Sequence, residues 1–539
     1  MDRISMWLGD GIVGMPFTYL KDPSFAAPAA VSVVVGMLGM FWLKRSRRTE
    51  LEYQLEPAID PANTCRAALA LRVQEWFGEL EALRSAHKGE MYFPTDKSLD
   101  YDKARTRPWS QAACGYPYVI ARVSCSEDVA LVIEFARRNK VPLSVLSGGH
   151  GMRSMINGAI VIDCYNLKNI ELSKDKTTVK VGAGLLLGEV DQFLKKHNLL
   201  FPTGTFVGTG AVGLTLSGGW SWIGGKYGAG CLSLVGVDLV TADGKKIVAT
   251  PDNEHAELLW ASRGAGGNFG IVTSLTLRVY PVDPVVELSS NVYFAPTVSS
   301  CVVVARKFRD NVVSAHTDLC GAALLMPCGA PVAISQAVCV GDDEPHAKNV
   351  VEPFKHLGGW FKLESKVANV SYHDDLQRLT VPFVCKRGYC FSGLVALPKL
   401  TDEALDILVR YAREKMPNSH SIIIVMPFVD GNFEEPCGGR LGSSLERTSW
   451  WIGFEGRWLR GEKDGFEKVS GWCREARREL QQVASASNSS HDFLDGIEHQ
   501  EDTVKTVFSQ ERLARLGKVK AMYDPQNVFR CNKNITPKQ

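Results

Sequence analysis

The chain has 539 residues, 45% of them hydrophobic and 22% charged, which is ordinary for a globular protein and long enough to suggest two lobes. Its 61 basic and 59 acidic residues give a formal net charge of +2, and the body has no long basic tract, which argues against a nucleic-acid partner. The 14 cysteines show neither CxxC pairs nor Cys/His spacing, so no metal site is predicted.

Residues 23–43, near the N-terminus, carry no charge and match the length of a membrane-spanning helix. A basic cluster follows at residues 44–48, whereas a secretory signal places its basic residues before the apolar stretch. We therefore predict a single transmembrane helix within residues 1–48, with a cleaved signal or a buried helix as the alternatives. The positive-inside rule places the body of the chain in the cytoplasm.

Residues 49–110 are polar and mixed, with a predicted helix around 65–84, and we interpret them as a lead-in that packs on the body. Short β and helical patterns alternate from residue 118 onward. A helix is predicted to begin at Ser126, which fits as its cap, with acidic residues in the first turn and basic residues in the last. Strands are predicted at 119–123, 141–146, 159–163 and 178–181, and a further helix at 187–198.

The predicted strand 141–146 leads directly into Ser147-Gly148-Gly149-His150-Gly151. Glycine allows close approach of the backbone, and consecutive backbone N–H groups can form a nest for a phosphate. His150 stands where an imidazole could react with the group that the phosphate carries. These five residues alone are also compatible with a plain turn.

A second glycine-dense stretch, residues 204–230, contains ten glycines. It is too apolar for a disordered linker and too rich in glycine for a helix, so we expect backbone packed closely around a ligand. A hairpin is predicted around Asp243-Gly244, followed by a helix at 255–264 and a strand at 270–282. Glycines become rarer after residue 281, where longer β and helical segments alternate.

Five motifs in this order resemble those of the berberine bridge enzyme-like FAD-linked oxidases, within the vanillyl-alcohol oxidase/p-cresol methylhydroxylase superfamily. They are SGGHG (147–151), GLTLSGGWSWIGGKYG (213–228), VDLVTADG (237–244), ELLWASRGAGGNFGIVT (257–273) and YDPQNVFRCNKNI (523–535). The resemblance covers residues 100–535 and is loosest in the middle of the second lobe.

The resemblance implies an α+β fold with a two-subdomain FAD-binding lobe of the vanillyl-alcohol oxidase type. An α/β substrate lobe with an antiparallel sheet would cover the flavin ring. We accordingly predict an FAD-binding domain at 111–283, a substrate domain at 284–500, and a C-terminal segment at 501–539, containing a helix at 501–520, that returns to the FAD lobe.

The resemblance also implies a set of FAD-binding residues within these motifs. They are Ser147, Gly148, Gly149, His150, Gly151, Thr209, Gly213, Gly218, Gly219, Gly228, Asn268, Phe269, Gly270, Val272 and Asn527. Many relatives carry a covalently attached flavin at the position of His150, and a neutral imidazole is a competent nucleophile. The alternative is that His150 only hydrogen-bonds the cofactor. Relatives with a second link use a cysteine where this chain has Phe206, so we expect one covalent link at most.

The implied reaction is a two-electron oxidation, in which a hydride leaves a substrate carbon for the flavin while a base takes a proton. Trp220 stands where several relatives carry a tyrosine, so the base is sought in the second lobe. Asp430 is the first candidate, and Tyr372 with His373 the second. Arg512 could bind a substrate carboxylate or the reduced flavin anion, or could equally be a surface charge of a helix.

The sequence thus predicts a membrane-anchored FAD-dependent oxidoreductase that acts on a small alcohol, sugar, lactone or alkaloid-like substrate, with O2 as the acceptor. One alternative is a non-catalytic, membrane-tethered flavin-binding module. Another is a lactone or 2-hydroxy-acid dehydrogenase that passes electrons to a quinone or cytochrome.

Overall fold

The computed structural model describes residues 64–538 except 97–98, 316–317, 380–387, 398, 428–449, 484–503, 505–507 and 509. The predicted transmembrane helix at 23–43 and the candidate base Asp430 lie outside the described residues. Within the described part of the chain, no helix has both the length and the apolar character needed to cross a bilayer.

The lead-in forms two helices, α1 (Thr64–Glu75) and α2 (Phe77–Ala86), where the sequence predicted one. They are divided at Trp76, whose ring packs edge-on against the rings of Tyr118 and Phe135, with centroids 5.3 and 6.0 Å away. The lead-in is therefore joined to the body through an aromatic cluster.

A four-stranded sheet forms the first subdomain, with strand order β1-β2-β4-β3. Its strands β2, β4 and β3 are parallel, and β1 is antiparallel to β2. Its elements are β1 (Glu90–Tyr92), α3 (Asp100–Arg105), β2 (Val119–Arg122), α4 (Ser126–Arg138), β3 (Leu143–Leu146) and β4 (Ile160–Asp163).

The prediction that Ser126 caps α4 is wrong, because Ser126 is the first residue of the helix. The N-cap is Cys125, and the carboxylate of Asp128 instead accepts hydrogen bonds from the backbone of Ser124 and Lys88, each at 2.8 Å.

The second subdomain contains a five-stranded antiparallel sheet, order β5-β6-β10-β8-β9, and a two-stranded ribbon, β11-β7. Its elements are β5 (Ile170–Leu172), β6 (Thr178–Gly182), α5 (Leu187–Lys195), β7 (Leu199–Leu200), α6 (Ala211–Leu216), α7 (Gly224–Tyr227), β8 (Leu234–Val240), β9 (Lys246–Ala249), α8 (Ala256–Ser262), β10 (Ile271–Arg278) and β11 (Tyr280–Pro281). The hairpin predicted around Asp243-Gly244 is confirmed, with Gly244 at φ +82°. The glycine-dense stretch was expected to lack helices, yet it contains α6 and α7. Both helices are short, so the entropic cost of placing glycines in a helix stays small.

The second lobe is built on a seven-stranded antiparallel sheet, order β15-β12-β14-β13-β17-β18-β16. Its strands are β12 (Val285–Phe294), β13 (Gly321–Pro327), β14 (Val332–Gly341), β15 (Phe361–Asn369), β16 (Tyr389–Leu397), β17 (Ile422–Pro427) and β18 (Trp450–Trp458). Its helices are α9 (Val298–Ser314), α10 (Glu344–Val351), α11 (Asp402–Arg413) and α12 (Gly465–Val483).

Alternate residues of this sheet belong to two different hydrophobic clusters, because successive side chains of a strand point to opposite faces. On β18, Trp450, Ile452 and Phe454 join the cluster that includes the apolar residues of α9, α11 and α12. Trp451 instead joins a cluster with Trp220 and Trp222 of the first lobe. One face of the sheet is thus covered by helices, and the other faces the first lobe.

The C-terminal helix α13 (Gln510–Tyr523) ends in a tail that returns to the first lobe. Lys520 and Asp524 are fully buried and form an ion pair at 2.7 Å. Lys520 also donates to the carbonyls of Asn268 and Phe529, and Asp524 accepts from the backbone N–H of Val528 and Phe529. These bonds fix the tail against the loop that contains Asn268.

Replacing Lys520 by Met should destabilise the protein by about 3–5 kcal/mol, since it leaves Asp524 buried without its cation. The matched control is Lys518→Met on the exposed face of the same helix, which should change stability by less than about 0.5 kcal/mol. Urea unfolding followed by tryptophan fluorescence measures both. Equal stability of the two variants would show that the buried ion pair does not hold the tail.

Candidate active site

A cavity of about 450 Å³ lies between the two subdomains of the first lobe and the sheet of the second. Its first-lobe lining comes from segments within residues 143–154, 204–222 and 265–272, and the C-terminal tail adds residues within 529–533. Parts of the chain that are far apart in sequence therefore meet here. The loop 147–151 follows the carboxyl end of the parallel strand β3, which is where open α/β sheets bind ligands.

Two glycine loops touch backbone to backbone at the cavity wall. A Cβ added to Gly148 would lie 2.2 Å from the amide nitrogen of Gly210, and one added to Gly210 would lie 2.5 Å from that of Gly148. Real Cβ atoms do not approach backbone so closely, so both positions require glycine. The adjacent Gly149 has φ +76°, another conformation that favours glycine.

The start of the first loop is fixed by polar contacts. Ser147 Oγ donates to the carbonyl of Ala183 at 2.6 Å, which joins the two subdomains. Arg107 donates to the carbonyl of Ser147 at 2.7 Å and pairs with the fully buried carboxylate of Asp163, also at 2.7 Å. Arg107 thus ties the loop to the carboxyl end of the neighbouring strand β4.

His150 lies between two aromatic rings at the cavity. Its imidazole stacks on Trp109 of the lead-in, with ring centroids 5.7 Å apart at 18°, and lies 6.1 Å from the ring of Phe206. Burial, with a contribution from the cation of Arg457, lowers the pKa of His150 to about 4. The ring is therefore neutral at pH 7, and its enclosed Nε2 has no hydrogen-bond partner among the residues that the structure describes. A neutral, unpartnered imidazole is available to a ligand.

Asn268 connects the glycine loop of residues 264–270 to the C-terminal tail. Its side chain donates to the carbonyls of Ala265 and Lys533 and accepts from the backbone N–H of Ile535. Asn532 reaches the same loop, donating to the carbonyl of Gly267 at 3.0 Å. The tail therefore completes the cavity wall.

The second lobe closes the cavity with the outward face of its sheet. The lining residues follow the two-residue period on three strands: Ala323 and Leu325 on β13, Ile424 and Met426 on β17, and Trp451, Gly453 and Glu455 on β18. Trp222, from the first lobe, contributes a buried indole N–H that has no partner among the described residues. This wall is apolar except for a few polar groups, which is typical of small-molecule sites.

Glu455 is the one carboxylate among the lining residues that the structure describes. Its side chain is 18% exposed, and burial raises its pKa to about 7. Arg457, the next residue on the same face of β18, is 6% exposed and pairs with Glu455 at 2.9 Å, which favours the ionised form. A carboxylate that titrates near neutral pH in a cavity is suited to accept a proton.

Ten of the fifteen residues that the sequence assigned to FAD line this cavity. They are Ser147, Gly148, Gly149, His150, Gly151, Thr209, Gly213, Asn268, Gly270 and Val272. The structure does not place Gly218, Gly219 and Gly228 in the lining. They have φ of +126°, +91° and +80°, so they shape the loop that carries Trp220 and Trp222.

Phe269 and Asn527 also lie away from the lining, for different reasons. Phe269 is 1% exposed and belongs to the apolar core of the first lobe. Asn527 adopts φ +52° in the turn after α13, and the tail reaches the cavity only from Phe529 onward.

The structure brings none of the described second-choice catalytic candidates to the cavity. Tyr372 is buried with its hydroxyl donating to the carbonyl of Phe201 at 3.1 Å, and His373 pairs with Asp191 at 2.7 Å. Both contacts join the second lobe to the first. Arg512 is buried, not a surface charge, and donates to the carbonyl of Arg263 while its guanidinium packs over Trp260.

The sequence reasoning missed Glu455, Trp109, Trp222 and Trp451. The alternation Trp451-Gly453-Glu455 is the sequence signal that places Glu455 on the same face of its strand as Trp451. Trp109 had no signal, because its contact with His150 is made across the fold. Among the described residues, no group of three or more His, Cys, Asp or Glu side chains is placed to hold a metal ion.

Two family models and a curated relative match this chain. Residues 117–250 match the family model of an FAD binding domain, and residues 488–536 match the model described as berberine and berberine like. The chain is 28% identical over 472 residues to (R)-6-hydroxynicotine oxidase of Paenarthrobacter nicotinovorans, covering 84% of this chain and 97% of that protein.

Solved structures share the fold. The 6-hydroxy-D-nicotine oxidase of Arthrobacter nicotinovorans aligns with a TM-score of 0.74 at 23% identity, covering 84% of this chain and 98% of that one. BBE-like 1 of Physcomitrella patens aligns with a TM-score of 0.73 at 17% identity, covering 85% and 99%. A chitooligosaccharide oxidase aligns with a TM-score of 0.70 at 19% identity, covering 85% and 99%.

The chain therefore contains an FAD binding domain and a berberine-like C-terminal segment, and its sequence and fold are similar to those of FAD-linked oxidases. FAD is its cofactor, and the cavity fits that group. The glycine loops line the cavity, where their backbone can approach a pyrophosphate, and the neutral imidazole of His150 has an enclosed nitrogen with no partner in the described part of the chain.

Proposed function

We propose that the protein is an FAD-dependent oxidase of a small, largely apolar alcohol or amine, with Glu455 as its general base. The observation that carries the proposal is the position of Glu455. Its carboxylate lines the cavity from the second lobe, opposite the glycine loops, with a pKa raised to about 7. A carboxylate at this position supports a catalytic role over that of a non-catalytic flavin-binding module.

FAD, when bound, supplies a two-electron acceptor for a hydride from a substrate carbon. The protein's part is to hold that carbon in place and to take the proton from the adjacent O–H or N–H group. Glu455 Oε1 and Oε2 are the proton acceptors, and Arg457 orients the carboxylate and favours its ionised form. The tryptophans of the wall exclude water, which strengthens the electrostatic interactions inside.

The chemistry of the wall supports an apolar substrate. Leu325, Leu394, Ile424, Met426 and Trp451 line the side nearest the second-lobe sheet, and they offer contact area rather than hydrogen bonds. A sugar needs a polar partner for each hydroxyl group, since an unpaired buried hydroxyl is costly. Within the range of alcohols, sugars, lactones and alkaloid-like compounds, the described lining favours aryl alcohols and alkaloid-like amines. The resemblance to a nicotine oxidase supports the same choice.

We also propose O2 as the electron acceptor, with Thr209 at the cavity wall as the residue beside its path. A quinone- or cytochrome-linked dehydrogenase is the competing possibility. Oxygen consumption during turnover supports the oxidase, and reduction of an artificial dye without oxygen uptake supports the dehydrogenase.

Replacing Glu455 by Gln should slow flavin reduction by about 100-fold or more, because the proton acceptor is lost while the shape of the side chain is kept. In the unchanged protein, the reduction rate should rise with pH through about 7, as the acid form of Glu455 ionises. The variant should lose this step. Anaerobic stopped-flow absorbance with the best member of a panel of aryl alcohols and cyclic amines measures both rates.

Glu475→Gln, an exposed carboxylate on α12, is the matched control and should reduce its flavin at the normal rate with the normal pH step. A Glu455→Gln protein that keeps the rate and the pH step would assign the base to another group.

We propose that FAD is attached covalently through His150. The supporting observations are its neutral ring, its enclosed and unpartnered Nε2, and the glycine loop that immediately precedes it. His150→Ala should release its yellow colour into the supernatant on acid precipitation, whereas the unchanged protein should keep it in the pellet. His373→Ala, which lies outside the cavity, is the control and should keep the colour in the pellet. Acid-stable flavin in His150→Ala would place the attachment elsewhere.

We propose, from the sequence, that residues 23–43 anchor the protein in a membrane with residues 44–539 on the cytoplasmic side. Full-length protein should sediment with membranes after carbonate washing, and a chain beginning at residue 50 should not. Protease should digest the body in sealed vesicles whose cytoplasmic face is outward. Protection of the body in those vesicles would reverse the orientation.

A further inference from the structure

A pair of cysteines lies in the second lobe, outside the flavin cavity. Cys339 is on β14, and Cys320 immediately precedes β13, whose register with β14 begins at Gly321 opposite Val338. Both cysteines are buried, with Cys320 6% and Cys339 4% exposed, and both thiols donate to the carbonyl of Asp318, at 3.8 Å from Cys320 and 3.3 Å from Cys339. Neighbouring positions on paired strands hold two sulfur atoms within reach of a bond.

The surroundings stabilise a thiolate on Cys320. Its sulfur accepts a hydrogen bond from the backbone N–H of Val340 at 3.3 Å. The neighbouring thiol of Cys339, this N–H and the cation of Lys226 together lower the pKa of Cys320 despite its burial. The Cys339 thiol donates to the carbonyl of Asp318, and the neighbouring Cys320 raises the pKa of Cys339. One cysteine is thus prepared as a nucleophile and the other is held as a thiol.

A buried carboxyl group lies beside the two cysteines in the sheet. Glu287 on β12 lies directly opposite Cys339 in the sheet, so their side chains are on the same face. Glu287 is fully buried, and neither of its carboxyl oxygens has a hydrogen-bond partner in the part of the chain that the structure describes. A buried carboxyl group with no partner is unfavourable for folding, and nothing in the flavin site uses it.

We propose that Cys320, Cys339 and Glu287 form a peroxide-reactive dithiol site. Cys320 thiolate attacks one oxygen of hydrogen peroxide, the O–O bond breaks, and the sulfur becomes a sulfenic acid while the other oxygen leaves as water after taking a proton. The carboxylate of Glu287 takes the proton of the Cys339 thiol. The resulting thiolate attacks the Cys320 sulfur, the S–O bond breaks, and the departing hydroxide takes the proton back from Glu287 and leaves as the second water. Two thiols and one peroxide yield one disulfide and two waters.

An oxidase that uses O2 releases hydrogen peroxide, so the flavin site would supply the oxidant nearby. This point rests on the proposed function. β13 connects the two sites: Ala323 and Leu325 line the flavin cavity, three and five residues after Cys320. Added peroxide tests the dithiol itself whatever the acceptor of the flavin proves to be.

The experiment treats the full-length flavin-loaded protein, without substrate, with one equivalent of hydrogen peroxide, followed by non-reducing peptide mapping. A disulfide between Cys320 and Cys339 should form at least about tenfold faster than oxidation of Cys301, a buried cysteine on α9. In Cys339→Ser, a dimedone-type reagent should trap a sulfenic acid on Cys320. Cys320→Ser should give neither the disulfide nor the trapped acid on Cys339.

Glu287 has its own test, because it acts only in the second step. Glu287→Gln should form the Cys320 sulfenic acid at the normal rate but convert it to the disulfide about tenfold more slowly. Glu287→Asp should restore much of that rate. The flavin absorbance spectrum of each variant checks that it is folded.

Peroxide oxidation of Cys301 as fast as of the pair, or no Cys320–Cys339 disulfide in folded protein, would overturn the proposal. An unchanged rate of disulfide formation in Glu287→Gln would remove Glu287 from the site.

Discussion

The contact between Gly148 and Gly210 is the constraint on which the rest of the site depends. Neither residue has space for a Cβ, so the loop after β3 and the loop before α6 meet backbone to backbone. This contact joins the two subdomains of the first lobe and leaves exposed amide groups at the cavity wall. It also places His150 beside Trp109 and Phe206, whose rings enclose the imidazole. Burial then keeps the imidazole neutral, which is the state that a nucleophile needs.

The second lobe supplies the opposite wall of the cavity through the two-residue period of its strands. The same strand, β18, places Trp450, Ile452 and Phe454 in the helix-covered core and Trp451, Gly453 and Glu455 at the cavity. Arg457 follows on the face of Glu455 and influences both sides of the cavity, since it pairs with the carboxylate and lowers the pKa of His150. One buried cation thus favours an ionised base and a neutral imidazole.

Much of the first lobe was predictable because residues close together in the sequence determine its strands, turns and helices. The strand before SGGHG, the Asp243-Gly244 hairpin and the helix from Ser126 depend on nearby residues, and the motifs identified ten cavity-lining positions. Gly218, Gly219 and Gly228 show the limit of that reasoning, because a glycine needed for a positive φ has the same sequence signature as one that touches a ligand.

The catalytic group was predicted poorly because it depends on which strands become neighbours. Tyr372 and Arg512 have suitable chemistry but are used in contacts within the protein, at Phe201 and Arg263. Glu455 gains its role only when β18 pairs between β17 and β16 and its outward face closes the cavity. The pair Cys320 and Cys339, separated along the chain, becomes visible for the same reason only in the folded sheet.

The most direct test of the account is a crystal structure of the protein purified with its flavin. The account predicts the isoalloxazine ring between the loop 147–151 and strands β17 and β18, with density continuous to His150 and with Glu455 facing the reactive side of the ring. A flavin ring outside this cavity, or one that has Glu455 turned away from it, would contradict the assignment of the site.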